Sequence, residues 1–102
     1  MILATIQGRV VSVNERRTSG GLRYAAGSLD AETAAGQWVR VHVCAYGVLV
    51  SALLGMRPDD TVEIRGEIEP RVLLDNNERM HVHLDILRAQ ALRPIGRRER
   101  AA

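Results

Sequence analysis

The sequence predicts an all-β domain with one short helix set among five strands. Three observations carry that prediction. Trp38 to Tyr46 and Thr61 to Ile68 alternate apolar and polar residues with the period of a strand. Between them, Val48, Leu49, Ala52, Leu53 and Met56 recur at helical spacing over about two and a half turns. Polar clusters at residues 14–21, with Gly20 and Gly21, and at Asp75-Asn76-Asn77-Glu78 read as two hairpin turns.

Each element follows in order. Met1 to Val13 is rich in β-formers and makes a long first strand, with Gly8 as a bulge or bend. After the 14–21 loop, Leu22 to Ala31 alternates weakly, setting Leu22, Tyr24 and Ala26 against Arg23, Ala25 and Gly27. Asp30 to Gln37 is a small, polar run that forms a loop or a single helical turn. In strand three, Trp38, Arg40, His42, Cys44 and Tyr46 share one face, while Val39, Val41, Val43 and Ala45 share the other. Gly47 breaks that strand, and Arg57-Pro58-Asp59-Asp60 ends the helix and turns the chain. Strand four sets Val62, Ile64, Gly66 and Ile68 against Thr61, Glu63, Arg65 and Glu67, and Arg71 to Leu74 is a further extended piece. Strand five sets Met80, Val82, Leu84 and Ile86 against Arg79, His81, His83 and Asp85. Three strands, a helix and two strands is the order of the five-stranded OB-fold, a Greek-key barrel whose helix lies between strands 3 and 4. Residues 1–92 are assigned to that domain. The Arg-rich tail 93–102 has too few apolar residues to pack and is expected to be disordered.

Length and charge narrow the function. A chain of 102 residues builds one core. No apolar run approaches 18 residues, which argues against a membrane span, and the start has no basic leader of the secretory type. The lone Cys44 cannot form an internal disulfide and suits a reducing, cytoplasmic setting. All 14 basic residues are Arg, a bias that a GC-rich genome would also give. Residues 1–57 hold six Arg against three acids (+3), residues 58–92 four against eight (−4), and the tail four against one (+3). A polyanion is drawn to the N-terminal half and the tail.

Val43-Cys44-Ala45-Tyr46-Gly47, the apolar helix, and Gly55-Met56-Arg57-Pro58-Asp59-Asp60-Thr61-Val62-Glu63-Ile64-Arg65-Gly66-Glu67-Ile68 together resemble bacterial single-stranded DNA-binding proteins. Gly8-Arg9-Val10-Val11 and Arg17-Thr18-Ser19-Gly20-Gly21 are similar to that family's first strand and Arg-containing first loop. The resemblance spans residues 4 to 92. It implies a non-catalytic binder of single-stranded DNA, with Tyr46 stacking a base, Trp38 near a second stacking position two residues early, and Arg17 touching phosphate. It also implies a homodimer or homotetramer and a place in DNA replication, repair or recombination, in company with proteins of those processes. The family's ring at the end of strand four is absent around Arg71 to Leu73, and its acidic C-terminal tip is replaced by Arg97-Arg98-Glu99-Arg100-Ala101-Ala102. Both departures fit a short relative, similar to primosomal replication protein N or to plasmid- and phage-type binders.

The candidate nucleic-acid contacts are therefore Arg16, Arg17, Arg23, Tyr24, Trp38, Arg40, His42, Tyr46, Arg71 and Arg79. Flat rings stack on unpaired bases and guanidinium groups follow the phosphates of DNA, or of RNA. Each has a plainer reading: the rings as interface or loop packing, the loop arginines as a solvated tip. His81, His83 and Asp85 on one strand face permit a metal site but are more simply that strand's wet face. Cys44 and His42 share a face without the third group and oxyanion hole that catalysis needs. No cofactor, metal or enzyme activity is expected. The alternative function is an OB-fold protein-interaction or assembly module without nucleic-acid binding.

Overall fold

The computed structural model describes residues 2–96. It contains β1 (Leu3–Arg17), β2 (Arg23–Glu32), β3 (Trp38–Ala45), α1 (Leu49–Leu54), β4 (Thr61–Leu74) and β5 (Met80–Gly96). The strands close into a barrel in the order β1-β2-β3-β5-β4, with β4 returning to β1. Every pairing is antiparallel except β3 with β5. This is the OB-fold expected from the element order.

The alternation in β3 and β4 sorts as predicted. Val41, Val43 and Ala45 point into the barrel with Val62, Ile64 and Ile68, where they meet Val10, Leu29 and Ile86. In β2 the inward set is Ala25, Gly27 and Leu29, which leaves Tyr24 on the outside. Gly27 is small for a packing reason: a Cβ there would lie 3.3 Å from Val13 Cγ1 and 3.4 Å from Val43 Cγ1.

The helix departs from its predicted face. Val50 and Leu53 are its buried pair, and Val48, counted above as part of the apolar stripe, is 93% exposed. Gly47, at φ +61, turns the chain so that the helix begins only at Leu49. Six residues then suffice to close the barrel end, with i and i+3 facing inward. The following turn is held from within: the Arg57 amide donates to Asp60 Oδ2 at 2.9 Å, and the Val10 amide donates to the Asp60 carbonyl at 2.8 Å.

Strand four does not stop at Ile68. It continues through Pro70 to Leu74, pairing with Met80 to Asp85 as an arm that projects past the barrel. Proline is tolerated here because β4 has already left β1, whose ladder ends near Leu3 and Glu67. Strand five likewise outruns the expected domain end at residue 92. Leu92 pairs with Ile64, and Arg93 donates from Nη2 to Glu63 Oε2 at 3.1 Å, so the ladder carries the start of the predicted tail as far as Gly96. The rest of that tail, residues 97–102, lies outside the described residues.

The ladders carry four register shifts, one between β1 and β2 and three between β4 and β5. The β1–β2 register shifts between Val10 and Ser12, and one of the β4–β5 shifts lies between Gly66 and Ile68. In the latter, Gly66 pairs with Ala89 and Ile68 with Ile86, so Leu87 and Arg88 together oppose one residue. Ile86 and Ala89 remain buried while Leu87 and Arg88 both stay exposed. Gly66 permits the bulge: a Cβ there would lie 2.7 Å from Ile86 Cγ2 and 3.0 Å from the Arg88 carbonyl oxygen.

Candidate nucleic-acid interface

The outer face of β2, β3, β5 and the arm presents polar residues in cross-strand rows. One row runs Asp30, Arg40, His83, Arg71, and the next runs Ser28, His42, Asp85, Glu69. Such rows arise because directly opposed residues on paired strands share a face. Rings occupy the two ends of this surface. Trp38 opens β3 and Tyr46 follows its last residue, a separation of about 26 Å at about 3.3 Å per residue.

At the Tyr46 end, Tyr24 and Tyr46 stack with centroids 5.3 Å apart and planes 20° apart. The Arg88 guanidinium carbon lies 5.5 Å from the Tyr46 centroid. Because β3 runs between β2 and β5, Tyr46 is flanked by a ring from one neighbour and a cation from the other. Arg16 pairs directly across from Tyr24 and belongs to this end. At the other end, Trp38 is 54% exposed and the Arg9 guanidinium carbon lies 5.1 Å from its ring. A groove of about 730 Å³ separates the start of β3 from the arm, lined by Trp38, Arg40, Met80, Val82 and His83 among others.

The middle of the face is electrostatically quieter. Arg40 Nε donates to Asp30 Oδ1 at 2.7 Å, and Arg71 Nε lies 3.4 Å from Asp85 Oδ2. Both cations thus face a strand with part of their charge already answered. His42 sits between Ser28 and His83, each at 3.3 Å. Burial holds the His42 imidazole below its ordinary value of 6.5, as do His83, Arg71 and Arg40, against an opposing pull from Asp85. Burial, and then Asp85, raise the Cys44 thiol, which makes a thiolate nucleophile there less accessible.

The predicted contacts thus divide. Arg16, Tyr24, Trp38, Arg40, His42, Tyr46 and Arg71 come together on one face. Arg17 and Arg23 pair with each other, so they occupy the opposite face of the β1–β2 hairpin from Arg16 and Tyr24. There Arg17 Nη1 donates to the Gly21 carbonyl at 3.2 Å, and Arg23 Nε donates to Glu15 Oε1 at 2.6 Å. Arg79 stands at the tip of the arm, where its amide donates to Asp75 Oδ1. His81 and His83 do not converge with Asp85. His81 Nε2 lies 2.9 Å from Asp75 Oδ2, while His83 turns to His42. Among the described residues, no group of three metal-ligating side chains is assembled.

Sequence reasoning left Arg9, Arg88 and His83 out of the nucleic-acid contacts. Arg9 carried a signal, since it sits beside Gly8 in a first strand whose outer face is polar. Arg88 carried none: strict alternation from Ile86 sends it inward, and only the bulge brings it out.

No protein-family model matches the chain, and no curated protein matches its sequence. Among described residues no helix is long and apolar enough to cross a membrane. Solved structures do match. The small single-stranded DNA-binding protein from Streptomyces coelicolor superposes with a TM-score of 0.72 at 17% identity, covering 91% of this chain and 93% of that one. The mitochondrial single-stranded DNA-binding protein Rim1 from S. cerevisiae gives 0.69 at 15% identity, covering 94% and 96%. PriB from Ralstonia solanacearum gives 0.63 at 15% identity, covering 92% and 98%. At these identities the likeness is one of fold: this chain has the same OB barrel, over nearly its whole described length, as small single-stranded DNA-binding proteins and PriB.

Proposed function

We propose that the face formed by β2, β3, β5 and the arm binds single-stranded DNA, without catalysis and with little sequence preference. The observation that carries this reading is the pair of ring-and-guanidinium sites at opposite ends of β3, Tyr24–Tyr46 with Arg88 and Trp38 with Arg9. Rings accept any base, and guanidinium groups track phosphates. Stacking contributes roughly 1–3 kcal/mol per base by alanine substitution, so Trp38→Ala and Tyr46→Ala should each weaken binding about five- to 150-fold. The single-stranded DNA-binding proteins that share the fold support the same partner. RNA competes in the same groove, since stacking and phosphate contacts alone do not exclude it. Two ring sites give modest affinity, and a homodimer or homotetramer would strengthen it by linking sites. The setting proposed is cytoplasmic DNA replication, repair or recombination, where single strands are exposed and proteins of those processes are at hand.

Fluorescence anisotropy with labelled oligo-dT tests this. Binding should weaken with salt at a log–log slope of about −0.7 per phosphate neutralised, and a duplex of equal length should compete poorly. Absence of binding at low salt would reject it. A second reading, an assembly module, is favoured by the arm, whose Val72, Leu74, Met80 and Val82 are 53–73% exposed. A concentration-dependent mass increase lost on replacing Val72 and Val82 by Ser, in a chain that does not bind oligo-dT, would establish that reading instead.

A further inference from the structure

We propose that the His42–His83 pair is a proton-dependent phosphate contact at the centre of the strand-binding face, taking up one proton when a backbone phosphate docks. This rests on the single-strand-binding reading above. The two imidazoles come from different strands, and their facing nitrogens, His42 Nε2 and His83 Nδ1, are 3.3 Å apart with ring centroids 5.3 Å apart. Ser28 Oγ lies 3.3 Å from His42 Nδ1, so a short polar chain runs from β2 through β3 to β5. Between two facing nitrogens there is room for one proton. A neutral pair shares it as donor and acceptor, a singly charged pair does the same, and a doubly charged pair leaves no acceptor and places two cations in contact. The pair therefore switches by a single charge.

The groups around it set where that switch stands. From β2 come Ser28 and Asp30, the latter bonded to Arg40 of β3. From β3 come Arg40 and Cys44, from β4 Arg71, and from β5 Asp85. Arg40 and Arg71 oppose a new positive charge and Asp85 favours one. Asp85 Oδ1 is out of contact with solvent and has no hydrogen-bond partner, while Arg71 approaches only the other carboxylate oxygen, at 3.4 Å, so a neighbouring imidazolium adds compensation. With burial added, the balance at His42 in the free protein lies toward the neutral imidazole. A phosphodiester arriving in front of the half-exposed rings adds one negative charge on the open side and tips the balance. Uptake of the proton on binding then requires, by linkage, that binding strengthen as pH falls. One proton sets a ceiling of about tenfold in affinity per pH unit.

The test is the affinity for oligo-dT between pH 8 and 5.5 at constant ionic strength, together with binding enthalpies in buffers of different ionisation heat, which count protons directly. The wild-type chain should bind roughly three- to tenfold more tightly per pH unit near pH 6.5 and take up between about half and one proton. His83→Gln and His42→Gln should each remove that uptake. His81→Gln, on the arm beside Asp75, should retain it. Binding with no proton uptake, or with uptake unchanged in both His83→Gln and His42→Gln, overturns this inference and leaves strand binding intact. No binding at any pH in low salt overturns both.

Discussion

The β4–β5 ribbon shows two fates for one sequence pattern. In its lower part, Val62, Ile64, Ile68 and Ile86 turn inward and form the middle of the core. In its upper part, the arm, Pro70, Val72 and Leu74 face Leu84, Val82 and Met80 across the ladder, and this equally apolar surface is largely open to solvent. The opposite face of the arm carries Glu69, Arg71, Asp85, His83 and His81, continuous with the candidate interface. Alternation thus specifies which side chains share a face. Whether that face is covered depends on β1, which follows β4 only to the region of Glu67.

Mutations should expose this difference. Ile64→Ala removes a fully buried side chain from the core and should cost about 2–5 kcal/mol in urea unfolding. Gly66→Ala acts at the boundary of the two parts, where the added methyl meets Ile86 and the Arg88 carbonyl. It should cost about 1–3 kcal/mol and, by disturbing the bulge that exposes Arg88, also weaken oligo-dT binding. A stability loss with unchanged affinity would detach Arg88 from the site.

Titration separates the same two parts. His42, on the body, is held neutral more strongly in the folded chain than in the unfolded one, so its contribution is fully present above about pH 6.5 and is lost as pH falls through its lowered value. Asp75, at the arm's tip, is lowered by its hydrogen bond to His81, then by the amides of Arg79 and Asn77. Its contribution is present above the ordinary 3.8 and is lost only below it. Urea midpoints should therefore begin to fall as pH drops below about 6.5, and that first fall should be absent in His42→Gln. The smallest effect belongs to the arm's apolar face: Val72→Ser and Val82→Ser should change monomer stability by no more than about 0.5 kcal/mol. A loss near that of Ile64→Ala would mean the arm is covered.

How much of this was legible in the sequence follows the contrast between adjacent residues. In β3 and in β4 up to Ile68, valine and isoleucine alternate with charged or ring-bearing residues, and both faces could be read directly. In β2, Ala25, Ala26, Gly27 and Ser28 are all small, so periodicity carried little signal, and the pairing with β3 decides that Tyr24 stacks on Tyr46. Arg88 lay beyond reach because a bulge changes the period by one, and a lone Gly66 does not announce where its partner strand will yield. The division of Arg16 from Arg17 has the same origin. Adjacent residues on a loop look alike in sequence, but the β1–β2 ladder extends through both and sends them to opposite faces.

Trp38 is the chain's single tryptophan, and its ring marks one end of the proposed path. Its fluorescence during titration with unlabelled oligo-dT therefore reports on the interface itself. Stacking of a base on the indole predicts a saturable quench that is reversed by salt and tracks the anisotropy of the bound oligonucleotide. Binding that leaves the emission of Trp38 unchanged would contradict a path along β3 from Trp38 to Tyr46.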